Sequence, residues 1–391
     1  MNGPVYLDYA ATTPVDAAVA ATMAQCLTID GAFGNPGSNG HDHGARAHAL
    51  VEAARAQVAA AVGAVPAELI FTSGATEANN LAIFGVANYY RAQGRHIVTS
   101  RTEHKAVLDP YRELERRGWR VSYLVPERSG VVEPAQVLRA LEPDTVLVSL
   151  MHVNNEIGVI QDIEAVAKIC ARHGGVRLHV DAAQSVGKCR VDFAALGADL
   201  MSVSAHKAYG PKGVGALLVS ARRGVQLEPL QFGGGQERGL RSGTLATHQV
   251  AGMGAAFALV TADSARFEAE RQRIAALQNR LFRGIEAVGE VLRNGDPARC
   301  VPQLLNLSFE GVEGESLLAA VRPHLAVSTG SACGSASNEA SYVLRALGRD
   351  ERLAESSLRF SLGRYTTEAE IDRAIDAVTA AVRRLRAIGG A

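Results

Sequence analysis

The stretch from residue 176 to residue 220, VRLHVDAAQSVGKCRVDFAALGADLMSVSAHKAYGPKGVGALLVS, decides the fold class. It contains three short β-rich runs, VRLHVDA, LMSVSA and GVGALLVS. The same alternation of strand and helix patterns begins at about residue 65, with the strand patterns ELIFTS, RHIVTS, WRVSYLV and TVLVSLMHV separated by helical patterns that end at glycine. Strands and helices alternating at this spacing predict an α/β fold with a mostly parallel sheet covered by helices.

From about residue 260 the pattern changes to that of a smaller α+β domain. A long helical pattern, DSARFEAERQRIAALQNRLFRGIEAVG, leads to the strand QLLNLSFEG, a short helix and the strand LRFSLGR. The last helix opens with a Thr367–Glu370 capping box. Its apolar stripe has a 4-3-4-3 spacing and consists of Ile371, Ile375, Val378, Val382 and Leu385. We predict a large domain over 15–259 and a small domain formed by 1–14 and 260–391.

Composition argues against several classes of partner. The 391 residues include 40 Lys plus Arg and 40 Asp plus Glu, so the net charge is zero and no direct nucleic-acid or membrane partner is expected. The N-terminus lacks a signal-peptide pattern and no apolar run approaches 18 residues, which predicts a cytoplasmic protein. The five cysteines show no CxxC or metal-ligand spacing, so we expect reduced thiols and no fixed metal site.

Polar side chains follow the ends of the predicted strands, where ligands bind in open α/β sheets. Asp181 ends one strand and Lys207 follows the next. A lysine that forms a Schiff base and an aspartate that pairs with a pyridinium nitrogen suit pyridoxal phosphate. Upstream, FTSGATEANN turns at Gly74 and opens a helix, so that the backbone of Ala75 and Thr76 can cradle a phosphate. Taken singly, the carboxylate, the lysine and the turn could each be an ordinary helix cap or surface charge. Taken together, the three features predict a cofactor site.

Five further polar residues belong to the same hypothesis. His104 follows a strand and can stack on a cofactor ring and move protons near neutral pH. The amides of Asn154 and Asn155 can reach the ring's phenolic oxygen, and Arg359 offers a fork for a substrate carboxylate. Thr244 ends the glycine-rich run GGGQERGLRSGT and can bind phosphate. The ordinary alternatives are a satisfied polar histidine and a surface salt bridge.

Cys333 lies in STGSACGSAS, residues 328–337, where every other side chain is small. A buried structural cysteine normally packs among apolar neighbours. The composition of this run is instead that of a mobile, exposed loop, in which a thiol can ionise near neutral pH. We therefore predict that Cys333 is reactive.

The chain resembles the cysteine desulfurases, pyridoxal phosphate enzymes of the class V aminotransferase family, and is most similar to the iron–sulfur-cluster and tRNA-thiolation type. The resemblance rests on YLDYAATTPVD, FTSGATEANNLAI, TEHKAVLD, MHVNNEIGV, HVDAAQSVGK, SAHKAYGPKGVGAL, GGGQERGLRSGT, GSACGSAS and LRFSLGR, which run nearly end to end. It implies the PLP-dependent transferase fold, similar to that of aspartate aminotransferase, in which the small domain carries the Cys333 loop.

The resemblance also implies roles for single residues. Lys207 would carry the cofactor, Asp181 would pair with the ring nitrogen, and Gln184, with Asn155, would bind at the phenolic oxygen. Residues expected at the phosphate are Ala75, Thr76, Ser204, Ala205 and His206. Thr244 would reach the phosphate of the other subunit, which implies a homodimer. Asn155 and Arg359 would hold the substrate carboxylate, and His104 would be the acid/base.

The implied reaction converts L-cysteine to L-alanine. Cys333, as a thiolate, would attack the substrate sulfur, become a persulfide, and pass its sulfur to an acceptor. That acceptor would be a cluster scaffold or a tRNA-thiolation protein, and with a partner Cys333 would also suit a transient iron–sulfur ligand. A loop of small residues lets the thiol reach both the cofactor and the acceptor.

The chain departs from the family pattern at three places. Gly334 stands where a threonine is common, and Ala205 stands where a glycine is common, although we expect its N–H to remain available. The chain ends at RRLRAIGGA, where close relatives continue with a tail that helps dock the scaffold, so docking through such a tail is not expected.

Three alternatives stay open at this point. A lyase that prefers selenocysteine would use the same residues. An aminotransferase or an amino-acid β-lyase would not need Cys333. A non-catalytic sulfur-relay protein would need neither Lys207 nor His104.

Overall fold

The structure, a computed structural model, describes residues 3–261, 263–329 and 340–389. Its strands are β1 (Val5–Tyr6), β2 (Leu69–Thr72), β3 (His96–Ser100), β4 (Arg120–Leu124), β5 (Thr145–Met151), β6 (Arg177–Asp181), β7 (Leu200–Ser204), β8 (Gly215–Val219), β9 (Val291–Asn294), β10 (Leu304–Phe309), β11 (Leu325–Ala326) and β12 (Ser357–Ser361).

The helices begin and end close to the glycines and caps that the sequence contains. They are α1 (Ala17–Ala24), α2 (Asp42–Ala61), α3 (Ala75–Tyr90), α4 (Lys105–Arg116), α5 (Pro134–Ala140), α6 (Ile163–Arg172), α7 (Phe193–Leu196), α8 (Thr247–Thr261), α9 (Ser264–Glu286), α10 (Gly314–Val321), α11 (Tyr342–Ala346), α12 (Glu351–Glu355) and α13 (Glu368–Gly389). Within the described ranges, none of them has the length and apolar character needed to cross a bilayer.

Seven strands form the main sheet, in the order β2-β8-β7-β6-β5-β3-β4. Four neighbouring pairs are parallel, and only β8 runs antiparallel, to both β2 and β7. The prediction of a mostly parallel sheet is confirmed. Because parallel strands end at the same edge, the loops after β3, β5, β6 and β7 meet there.

The sheet is buried on both faces, as its apolar sequences require. All seven residues of β5 are buried, and helices pack on either side. The polar residues inside the sheet pair with one another. His179 lies between Ser149, with Nδ1 2.7 Å from Oγ, and Ser202, with Nε2 3.0 Å from Oγ. Burial lowers the pKa of His179 to about 4, so the ring is neutral at physiological pH.

A second apolar core surrounds the antiparallel sheet β12-β10-β9. Strand β1 pairs with β11, and Val5 in this strand and Leu7 directly after it belong to this core. The predicted capping box is present at α13, where Thr367 N–H donates to Glu370 Oε2 at 2.9 Å and Glu370 N–H donates to Thr367 Oγ1 at 3.3 Å. The apolar stripe of α13 packs onto the same core, which explains why the N-terminal segment and the C-terminal region associate. The domain bounds 15–259 remain a prediction.

Candidate active site

A cavity of about 500 Å³ opens at the edge of the main sheet where the parallel strands end. The predicted site residues that line it are Ala75, Thr76, His104, Asn155, Asp181, Gln184, Ser204, His206, Lys207 and Arg359. Residues far apart in the chain are therefore brought to one place. Cys333 lies outside the described residues, and two predicted residues, Ala205 and Thr244, lie elsewhere.

The turn between β2 and α3 forms one wall of the cavity. Gly74 has φ 153°, a conformation that L side chains rarely adopt, and α3 begins directly after it at Ala75. Glu77, in the first turn, accepts from Ser73 N–H at 2.8 Å and from Arg241 Nε at 2.8 Å. Burial acts to raise the pKa of Glu77, but these hydrogen bonds outweigh it and lower the pKa. The helix N-terminus next to them suits an anion, because its first N–H groups have no partner in the helix.

Polar groups at the end of β7 and directly after it line the same cavity. The Ser204 hydroxyl is buried and has no hydrogen-bond partner in the described part of the chain. Nδ1 of His206 lies 3.2 Å from Thr12 Oγ1. Burial, and next the charge of Lys207, lowers the pKa of His206 to about 4. A neutral imidazole and a hydroxyl can both donate hydrogen bonds to a phosphate without a change in charge.

The expectation for Ala205 is wrong in one respect. Its N–H donates to the Val214 carbonyl at 3.2 Å, and the residue is fully buried. The β7–β8 pairing continues one residue beyond Ser204, and this extra ladder bond uses the N–H that we expected to be available.

Asp181 lies at the end of β6, with both carboxylate oxygens engaged. Oδ2 accepts from Asn79 Nδ2 at 2.8 Å, and Oδ1 accepts from Ala183 N–H at 2.9 Å. Gln184 donates through Nε2 to the Ala10 carbonyl at 2.8 Å, which sets the orientation of its amide. Sequence reasoning missed Asn79, a fully buried polar residue of α3. An asparagine within the apolar run of this helix was the only available signal.

His104 is the N-cap of α4. Its Nδ1 accepts from Ala106 N–H at 3.0 Å, so a neutral ring carries its proton on Nε2. Burial lowers the pKa of His104, although the carboxylate of Asp181 opposes the shift, and Lys207 adds to it. The cap thus determines both the tautomer and the orientation of the ring at the cavity wall.

The two asparagines after β5 have different environments. The Asn154 side chain stabilises the loop itself, because its Oδ1 accepts from the N–H groups of Glu156 and Ile157 at 2.9 and 3.0 Å. Asn155 lines the cavity, and its carbonyl accepts from Arg359 Nη1 at 2.9 Å. Nη2 of Arg359 donates to Asp8 Oδ1 at 2.8 Å. This guanidinium is therefore held at the cavity from two sides.

Several buried polar atoms of the cavity-lining residues have no partner among the residues described. They are Asn79 Oδ1, Asn155 Oδ1, Gln184 Oε1, Ser204 Oγ and Arg359 Nε. Buried polar atoms in proteins are normally paired, so a cluster of unpaired ones indicates a polar ligand. Hydroxyl, amide and guanidinium groups around one cavity fit a ligand that carries phosphate, phenol and carboxylate groups, as pyridoxal phosphate with an amino acid does.

Thr244 is exposed and lines a second cavity of about 560 Å³, away from the other site residues. The glycine-rich segment before it is held by Glu237. The Glu237 carboxylate accepts from Arg55 Nη2 at 2.7 Å, from Arg55 Nη1 at 2.9 Å and from Phe71 N–H at 2.6 Å. The ion pair ties the segment to α2, and the Phe71 bond ties it to β2, the strand that leads to the phosphate turn.

Known proteins are similar to this chain in sequence and in fold. Residues 5–374 match the family described as "Aminotransferase class-V". The chain is 57% identical over 386 residues to "Cysteine desulfurase IscS" of Pseudomonas putida, covering 99% of this chain and 94% of that protein. Among solved structures, a "NIFS-LIKE PROTEIN" has a TM-score of 0.89 and 35% identity, covering 98% of this chain and 100% of its own. "SspA in complex with cysteine" has a TM-score of 0.81 and 37% identity, covering 93% and 99%.

Proposed function

The chain belongs to the class-V aminotransferase family and, within it, to the cysteine desulfurases, and on that premise we propose how its own residues act on L-cysteine. One cavity brings Lys207, Asp181 and His104 together with Arg359, and this observation carries the proposal. Cysteine desulfurases depend on pyridoxal phosphate, convert L-cysteine to L-alanine, and transfer the sulfur to an acceptor.

The residues around the cavity divide by the part of the cofactor that they suit. Lys207 would hold the cofactor covalently, and Asp181 would bind its ring nitrogen. The N-terminal turn of α3, Ser204 and His206 would hold the phosphate, and Gln184 with Asn155 would bind at the phenolic oxygen. When bound, pyridoxal phosphate supplies an electron sink that stabilises negative charge at the Cα of an amino acid. Asn79 keeps the Asp181 carboxylate oriented by donating to Oδ2 at 2.8 Å.

The substrate and its protons would be handled by three residues. The unpaired Nε of Arg359 and the Asn155 amide would bind the carboxylate of L-cysteine. His104 would be the acid/base: its neutral ring carries a proton on Nε2 that can be directed at the substrate, and for the ring to take up a proton Nδ1 must release the Ala106 N–H.

Sulfur would leave the substrate through Cys333. Its thiolate would attack the sulfur of L-cysteine, forming an S–S bond while the substrate C–S bond breaks. The electron pair of the broken bond stays with carbon, which is protonated and released in L-alanine. Carbon is thereby reduced and sulfur oxidised, so no external oxidant is needed. The persulfide would then pass its sulfur to an acceptor protein of iron–sulfur cluster assembly or tRNA thiolation.

A homodimer would complete the site. Thr244 is exposed at a separate cavity of its own chain, a position that suits contact with a second subunit's phosphate. In the same segment Phe232 is 81% exposed and Leu230 is 41% exposed, and apolar side chains this exposed are commonly covered by a partner. The expected occupant is a second copy of this chain.

Mass spectrometry of the Cys333 peptide tests the proposed function. Cofactor-loaded protein mixed with L-cysteine without reductant should gain one sulfur atom on this peptide and release alanine. Cys333→Ala should lose both the added sulfur and alanine turnover. Cys189→Ala is a matched control, because burial raises the pKa of that thiol to about 11, and it should behave as wild type. Alanine formation that survives Cys333→Ala would contradict the proposal and favour a β-lyase.

A further inference from the structure

Glu156 is a buried carboxyl group that the proposed reaction does not use. The residue is 2% exposed, and its Oε2 accepts a 2.5 Å hydrogen bond from Ser341 Oγ. Burial raises the pKa of Glu156 to about 7, although the Ser341 bond and the charge of Arg359 oppose the shift. Across the described ranges, no ion pair compensates Glu156. Arg359 acts on Glu156 only through its charge, so within the described residues the Ser341 hydroxyl is the side-chain group that hydrogen-bonds this buried carboxyl group.

Ser341 follows Cys333 by eight positions in the sequence and lies at the start of α11. It is the N-cap of α11, and its Oγ accepts from Leu344 N–H at 3.2 Å. Next to it, the Tyr342 hydroxyl donates to the Glu103 carbonyl at 2.8 Å, one residue before His104. The start of α11 is therefore bound to two loops of the cavity wall.

Apolar packing holds the same helix against the loop after β5. Val343 and Leu344 belong to one buried cluster with Ile157 and Val159. Since Ile157 directly follows Glu156, the Ser341 bond and this packing act on the same loop. The loop that presents Asn155 to the cavity is thus in rigid contact with the start of α11.

The other end of the segment is attached to the substrate side of the cavity. Ser328 forms an antiparallel bridge with Arg359, in which Arg359 N–H donates to the Ser328 carbonyl at 2.7 Å and Ser328 N–H donates back at 3.3 Å. The Arg359 guanidinium in turn donates to the carbonyl of Asn155, which precedes Glu156. Both attachments therefore meet at Asn155, Glu156 and Arg359.

We propose that Glu156 is a positioning residue for sulfur transfer, which fixes through Ser341 the point where the chain carrying Cys333 returns to the cavity. This inference rests on the proposed function, in which Cys333 receives the sulfur. The physical reason is that Ser341 is one of the points that tether the chain carrying Cys333, so a displaced tether lowers the effective concentration of the thiol at the cavity. A short hydrogen bond to a carboxyl group holds its donor in a narrow range of positions.

The test separates positioning from helix capping. Ser341→Ala removes both the bond to Glu156 and the cap of α11, and Ser341→Thr restores a hydroxyl. Asp350→Ala is the matched control, because Asp350 caps the equally short helix α12 by accepting from Leu353 N–H at 2.9 Å and does not contact Glu156. Glu156→Gln keeps an acceptor oxygen for Ser341, whereas Glu156→Ala removes it.

Two readouts are taken from each cofactor-loaded variant. The first is the change in cofactor absorbance when L-cysteine binds, and the second is the single-turnover rate of sulfur addition to the Cys333 peptide. We expect Ser341→Ala and Glu156→Ala to lower the rate of sulfur addition at least tenfold, while the apparent affinity for L-cysteine stays within threefold of wild type. Ser341→Thr, Glu156→Gln and Asp350→Ala should stay within threefold on both.

Each other result would overturn the inference. A wild-type rate of sulfur addition in Ser341→Ala would show that the bond does not position the nucleophile. An equal loss in Asp350→Ala would show a general effect of capping. If the wild type itself adds no sulfur to Cys333, the proposed function fails and this inference fails with it, so the two failures are distinguishable.

Discussion

Arg359 and Asp8 form an ion pair at the wall of the cavity, with Nη2 2.8 Å from Oδ1. The two residues are 351 positions apart, and the Arg359 side chain is only 4% exposed. The second terminal nitrogen donates to the Asn155 carbonyl at 2.9 Å. The guanidinium is therefore oriented before any substrate arrives, which lowers the entropic cost of binding a carboxylate.

Arg359→Lys should weaken binding of L-cysteine. Lysine keeps the charge that pairs with Asp8 but lacks the planar guanidinium with its several N–H donors, so the oriented donor to the substrate carboxylate is lost. Losing such a charged hydrogen bond costs about 2–3 kcal/mol, which corresponds to a KM increase of roughly 30- to 150-fold. Steady-state alanine formation across cysteine concentrations measures it. Arg280→Lys, at an exposed Arg280–Asp372 pair, is the control and should leave KM unchanged.

His104→Asn should separate the chemical role of His104 from its structural role. Asparagine is a good N-cap and can accept from Ala106 N–H in place of Nδ1, but it cannot transfer protons. We expect alanine formation to fall about 100- to 1,000-fold while the unfolding temperature stays close to that of wild type. His104→Ala should lose both activity and stability. Retention of more than a tenth of the activity by His104→Asn would exclude it as the acid/base.

Ser204→Ala should weaken cofactor binding. The buried Ser204 hydroxyl lacks a partner among the described residues, and a hydrogen bond to a charged phosphate contributes about 1.5–3 kcal/mol. Titration of cofactor-free protein with pyridoxal phosphate should show an affinity roughly 10- to 150-fold lower. Ser202→Ala is the control, because Ser202 lies in the same strand as Ser204 but its hydroxyl is already paired with His179 of the neighbouring strand. Equal affinities for wild type and Ser204→Ala would place the phosphate elsewhere.

Glu156 should make stability depend on pH in a predictable direction. Folding raises its pKa to about 7, so between pH 4.5 and 7 the folded protein holds a proton that the unfolded chain releases. The stabilisation is complete below the unfolded pKa and is lost as pH rises through 7. The glutamine side chain in Glu156→Gln is neutral throughout. Between pH 5 and pH 8.5 the free energy of unfolding of wild type should therefore fall by up to about 3 kcal/mol relative to that of Glu156→Gln. Unfolding temperatures of both proteins at the two pH values measure this, and a constant difference would contradict it.

The sheet was predictable because its signal is local. Runs such as TVLVSLM are mostly apolar and include several β-branched residues, and the intervening helical patterns end near glycine, so each element could be assigned from its own residues. The site could be located for a related reason. Asp181 and Lys207 follow neighbouring strands, and the ends of parallel strands meet at one edge.

The partners of the site residues were not predictable. Asn79 donates to Asp181 from 102 positions away, and in the sequence it is only a polar residue within an apolar helix. The Ala205 N–H is used by the Val214 carbonyl, and although the strand patterns LMSVSA and GVGALLVS include both residues, they do not specify that the two pair. Strand and helix periodicities carry no information about which side chains meet across the cavity.

The sequence by itself determined the α/β sheet, the caps and stripe of the last helix, and the motifs of the cysteine desulfurases, because all of these follow from local spacing and residue type. Only the tertiary structure decided that Asp8 orients Arg359 and that Glu156 holds Ser341. These contacts join residues 351 and 185 positions apart. They form because the N-terminal segment, the loop after β5 and the second sheet pack around one cavity, and that packing depends on the whole chain at once.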